Sequence, residues 1–154
     1  MHRAIVLACI ALLAAQTPDP FVGTWTMNPE KSAMDPNHRA ARAKVHWERD
    51  GEAYLLSAEG VNAAGKAVKE TPQRFVPDGK ERPVPAAPGV TITVTRPDPH
   101  TLLVESEREG QIVGRATYEV SRDGKSLTAT VSGTDAKQRP FKTRMVFDRD
   151  PANP

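Results

Sequence analysis

Cysteine is all but missing from this chain. The single one, Cys9, lies in an N-terminal apolar run, residues 4–15, that follows Met1-His2-Arg3. A short positive start, an apolar stretch and small residues ahead of a polar turn match a secretory leader. Cleavage is expected near Ala15, and Pro18 and Pro20 break any helical continuation. Long hydrophobic runs are absent too. Residues 4–15 fall short of the about 20 apolar residues that span a bilayer, and nothing later is as apolar. With the leader removed, the chain is expected to have no transmembrane segment. It would also keep no thiol, which excludes disulfides, a thiolate nucleophile and a Cys-ligated metal. The expected destination is the periplasm or the extracellular space.

A dominant charge is also lacking. The 21 Lys and Arg residues nearly balance the 19 Asp and Glu residues, for a net charge of +2. Loss of Arg3 with the leader brings the balance closer to zero. Nucleic-acid binding needs a basic patch or stripe, so no nucleic-acid partner is expected. The densest basic run, Arg39, Arg42, Lys44 and Arg49, is offset by Asp35, Glu48 and Asp50. It reads as a solvated or weakly anion-binding surface.

The signatures of catalysis and metal binding are missing as well. His2, His38, His46 and His100 are scattered, without the close spacing of a zinc site. No G-x-S-x-G elbow and no Gly-rich phosphate loop occur. Glu105, Glu107 and Glu109 alternate along one strand opposite Val104 and Ser106, which turns them to water rather than toward paired acid–base work. No catalytic set, metal site or cofactor emerges.

Turn chemistry and alternation are what the chain does have. Asp50-Gly51, Asp78-Gly79, Glu109-Gly110 and Asp123-Gly124 punctuate it, and acid–Gly pairs supply the positive φ angles of tight hairpins. Val90, Ile92 and Val94 alternate with threonines. Ile112, Gly114, Ala116, Tyr118 and Val120 share one parity, as do Leu127, Ala129, Val131 and Gly133, and Phe141, Met145 and Phe147. Period-two patterning of this kind places one face in a core and one in water. Earlier strands are expected at 21–28, from Val45 to the Asp50-Gly51 turn, at 53–59 and at 66–76. Residues 37–43 offer one helical turn, and Pro83, Pro85 and Pro88 mark an edge, loop or lid. The count is about eight strands, up to ten, with a weak piece near Arg82. An all-β antiparallel up-and-down meander closing into a barrel, as one domain over residues 21–150, accounts for them.

Phe21-Val22-Gly23-Thr24-Trp25, with Asn28 and Glu30-Lys31-Ser32 behind it, resembles the opening of small secreted bacterial lipocalin-like (calycin-type) proteins. The stretches 120–128 and 133–135 and the closing Val146-Phe147-Asp148-Arg149 are similar to the same group. The resemblance implies that Trp25 closes the barrel floor and that Arg149, from the end of the last strand, packs over it. The chain departs from lipocalins proper in having no disulfide and no T-D-Y motif.

Small residues expected to point inward, Gly114, Ala116, Ala129 and Gly133, either leave a cavity or let Trp25, Trp47 and Tyr54 fill the space. The sequence leaves both open. If a cavity exists, Tyr54, Tyr118, Met145 and Phe147 are its expected lining. A small apolar or amphipathic ligand is then its expected occupant. The alternative is an envelope accessory or interaction module with a filled core.

Overall fold

A computed structural model describes residues 18–36, 39–135 and 137–151. The expected leader, Cys9 and His38 lie outside the described residues. Among the described residues eleven strands form one antiparallel sheet. They are β1 (Gly23–Met27), β2 (Ala40–Asp50), β3 (Ala53–Asn62), β4 (Ala67–Lys69), β5 (Gln73–Phe75), β6 (Glu81–Pro83), β7 (Val90–Asp98), β8 (Thr101–Arg108), β9 (Gln111–Val120), β10 (Ser126–Thr134) and β11 (Pro140–Arg149). The order across the sheet is β4-β3-β2-β1-β11-β10-β9-β8-β7-β6, with β5 also on β3. A meander therefore runs in both directions from the β1–β11 pair, which joins the two ends of the described chain in register Trp25 to Arg149.

Two details differ from the sequence expectation. Residues 66–76 are two strands, not one. Residues 70–72 lie in neither β4 nor β5, and Pro72 has no amide to give to a ladder. Residues 40–43 are extended, as the start of β2 paired with β3, so the helical spacing of Arg39, Arg42 and His46 is coincidental. The weak piece near Arg82 is a true edge strand, β6, which pairs with β7.

The sheet curls on itself. Trp47 of β2 meets Tyr118 of β9 with ring centroids 5.1 Å apart, and Phe75 of β5 meets Tyr118 at 6.1 Å. The two ends of the sheet approach through the turn after β5. There Gly79, at φ 72°, donates its amide to the Val94 carbonyl of β7 at 2.9 Å. Only glycine holds that backbone angle without strain. Beside this contact β5 and β7 part, leaving a small gap of about 170 Å³ between Arg74, Val76, Ile92 and Val94.

One end of the curled sheet is packed shut. Phe21, Trp25, Trp47 and Tyr54 have no exposed surface. Trp47 sits amid Phe21, Tyr54 and Phe75, with ring centroids 5.5, 6.0 and 5.8 Å away. The segment before β1 plugs this end with Asp19. Its carboxylate accepts from the Tyr54 hydroxyl at 2.5 Å and from Arg96 Nη1 at 3.1 Å, and its other oxygen accepts the Phe21 amide. Arg49 and Arg96 lie over the Tyr54 ring, 4.6 and 5.4 Å from its centroid. Asp19→Ala leaves the buried Tyr54 hydroxyl without its acceptor and takes one of two acceptors from the half-buried Arg96 guanidinium, which keeps the Pro99 carbonyl. It is expected to cost about 1–3 kcal/mol in chemical denaturation.

Candidate functional site

Arg149 and Trp25 meet at the shut end. The Arg149 guanidinium lies 4.0 Å over the Trp25 ring. It donates Nε to the Gly124 carbonyl, Nη1 to Val22 and Nη2 to Pro20, at 2.6, 2.8 and 2.6 Å. The Trp25 indole N–H donates to the Phe21 carbonyl at 3.0 Å. One side chain thus ties the end of β11 to the β9–β10 turn and to the chain entering β1. The ring beneath it supplies the negative π face that a guanidinium favours.

The opposite end is open. A cavity of about 350 Å³ lies between β2, β3, β10 and β11. Its walls are Ala43, Val45, Leu56, Ala129, Val131 and Met145, and Trp47, Tyr118, Leu127 and Phe147 form its inner end. Arg39, Arg42, Glu59 and Glu70 also border it. The alternation expected of these strands is what turns this face inward, as the β10–β11 register shows by placing Ala129 opposite Met145 and Leu127 opposite Phe147. A volume near the lower end of the usual range for small-molecule pockets, lined mainly by apolar groups with a few polar ones, suits one compact ligand.

Of the four residues expected to line a cavity, Tyr118, Met145 and Phe147 border it. Tyr54 does not. It shares their inward parity but sits lower, in the shut end, with its hydroxyl on Asp19. Parity sets the face of a sheet a side chain occupies and not its height along the barrel. The small residues also divide. Ala129 borders the cavity, whereas Gly133 lets strands crowd: a Cβ there would fall 2.6 Å from the Val113 carbonyl. Gly60 does the same beneath the irregularity in β2, where a Cβ would fall 2.2 Å from the Arg42 carbonyl. The half of the wall from β2 and β3, Ala43, Val45, Leu56 and Ala58, is not among the expected lining, although its alternation around Trp47 and Tyr54 carries the signal.

Of the basic run, Arg39 and Arg42 border the cavity, whereas the histidine and strand-glutamate candidates described sit outside it. His46 Nδ1 lies 3.0 Å from Thr24 Oγ1, and the His100 amide donates to Asp98 in the β7–β8 turn. Glu105 pairs with Arg115 at 2.8 Å, both well exposed. Among the described residues no three His, Cys, Asp or Glu side chains gather as a metal site, and no helix is long and apolar enough to cross a membrane.

Both tyrosines of the chain have hydroxyls pushed up to about 12. Burial is the main cause in each, reinforced by the Asp19 carboxylate at Tyr54 and by the Glu70 carboxylate at Tyr118. A folded-state value above the unfolded 10.0 means that the folded form holds its protons longer. The stability from these groups is intact below pH 10 and is lost as the pH rises toward 12. Tyrosinate absorbance in the folded protein is expected to stay flat through pH 10 and rise near 12. Asp19→Ala should bring one of the two transitions down.

No family model matches the chain, and no curated protein matches it. Solved structures do resemble it. The zebrafish ileal bile acid-binding protein complexed with cholic acid is 13% identical, with a TM-score of 0.55 over 85% of this chain and 99% of that one. A Schistosoma mansoni fatty acid binding protein in complex with arachidonic acid is 14% identical, with a TM-score of 0.57 over 85% and 96%. As-p18, an extracellular fatty acid binding protein, is 12% identical, with a TM-score of 0.51 over 86% and 98%. At such identities the likeness speaks for the fold alone, a calycin-type antiparallel β-barrel.

Proposed function

We propose that this chain is an exported lipocalin-like protein, acting in the periplasm or outside the cell, that holds a small apolar or amphipathic ligand in its barrel. The observation that carries this reading is the apolar cavity of about 350 Å³, open at one end of a barrel whose other end is sealed by Trp25, Arg149 and Asp19. The shared fold of proteins solved with cholic acid and arachidonic acid supports it by analogy. An interaction module with a filled core fits the interior less well, because Trp25, Trp47 and Tyr54 fill only the shut end.

The test is a titration with the neutral hydrophobic dye N-phenyl-1-naphthylamine. It is read by dye emission and by quenching of Trp47, with a Trp25→Phe variant assigning the signal. Saturable one-to-one binding is expected. Emission that rises without saturation, unchanged by unfolding the protein, would count against a ligand site. Export is tested separately by the N-terminal sequence of the protein recovered from its source, which should begin shortly after Ala15.

A further inference from the structure

The cavity takes up only one side of the barrel interior. Its walls come from β2, β3, β10 and β11, with Val68 and Glu70 beside them and Tyr118 of β9 at the inner end, and none of the described residues of β7 or β8 borders it. On that other side Val94, Leu102 and Val104 are buried in the same core as Tyr54 and Phe75. The free space is therefore a slot along one wall and not a chamber across the barrel. Its floor is firm. Trp47, Leu127 and Phe147 are buried, and moving the Trp47 ring would displace the packed rings of Phe21, Tyr54 and Phe75.

The slot also has a definite depth. Its apolar lining runs from Trp47 to Ala43 on β2 and from Leu127 to Val131 on β10, four residues on each wall. At about 3.3 Å per residue that is about 13 Å. Beyond it Arg39, Arg42 and Glu59 border the opening, and all three are exposed. An extended hydrocarbon advances about 1.25 Å per carbon, given C–C bonds of about 1.5 Å, so about ten carbons cover the depth. Volume gives a similar count. A dry cavity of about 150 Å³ holds one six-carbon benzene ring, which scales to about fourteen carbons in the 350 Å³ here, flared mouth included.

Resting on the ligand reading above, we infer that the slot measures chain length: it takes one unbranched hydrocarbon chain, apolar end first, of about ten to twelve carbons. The polar group of the ligand stays at the mouth, in water. Trp47 and Leu127 are the residues that set the limit, because they end the slot. A longer chain gains nothing, since its extra carbons emerge among charged side chains. A rigid ring system is too broad for a slot on one side of the barrel.

The experiment is displacement of bound N-phenyl-1-naphthylamine by primary alcohols of 6, 8, 10, 12 and 14 carbons, each below its solubility limit. Affinity is expected to rise about fourfold per methylene up to about ten carbons, the increment for a buried CH₂, and to level off by about twelve. Cholate should compete no better than 1-hexanol. Leu127→Ala removes about three carbons from the floor and should move the break toward longer chains. Ala129→Val adds bulk two residues along β10 from Leu127 and should move it toward shorter ones. Circular dichroism checks that each variant is folded, and either folded variant suffices for the test. An undiminished rise through 14 carbons, a break that stays in place in a folded variant, or cholate displacing the dye better than 1-decanol would overturn the inference. Failure of the dye and of every alcohol to bind would instead remove the ligand reading on which it rests.

Discussion

Replacing Arg149 with methionine is expected to lower the free energy of unfolding by about 2–4 kcal/mol. The substitution keeps the length and apolar bulk of the side chain. It removes three charge-assisted hydrogen bonds to the carbonyls of Gly124, Val22 and Pro20, along with the cation over Trp25. Those carbonyls come from two separate parts of the chain, the β9–β10 turn and the segment entering β1. Lysine should recover little, because one ammonium on a flexible stem cannot reproduce a planar fork that reaches all three acceptors. Urea denaturation of the three proteins, with equal slopes, measures the difference. A loss under about 1 kcal/mol would reduce the arginine to a surface residue, since exposed pairs are worth about 0–1 kcal/mol.

A second large effect is expected at the cavity wall. Val131→Phe places a phenyl ring where the wall is half-buried and opposite Thr143 in the β10–β11 register. Filling the cavity removes the space that a ligand tail would occupy. Denying the ligand about 100 Å² of apolar contact costs about 2.5 kcal/mol, or close to a hundredfold in affinity. The protein's own stability should hold or rise slightly, because the new ring covers apolar surface already facing the cavity. Dye titration alongside thermal unfolding separates the two readouts. Unchanged dye affinity in a folded variant would mean that the dye binds elsewhere.

The fold was largely legible because its strands advertise themselves. Val90 to Thr95 alternate strictly, and β7 through β11 formed where that alternation and the acid–Gly turns placed them. Trp25 and Arg149 could be paired from the resemblance and from their positions near the two ends of the barrel segment. The height of a residue along the barrel axis was not legible. Tyr54 and Tyr118 are both inward, yet one anchors the floor and the other borders the cavity, and the difference is set by the register of β3 on β2 and by Asp19. The meaning of glycine was hidden for a similar reason. Gly133 looked like space but permits backbone contact with Val113, which depends on an irregularity between β8 and β9 that leaves no mark in the hydrophobic pattern. The plug at Asp19 rests on an arginine 77 positions away, a separation that local patterning cannot reveal.

The most direct measurement is a crystal structure of the protein grown with 1-decanol. Electron density for the alcohol is expected inside the cavity, along Met145, Val131 and Phe147. An interior closed by movement of Trp47 and Tyr118 into the cavity, with the alcohol absent or lying on the outer face of the sheet, would contradict the account.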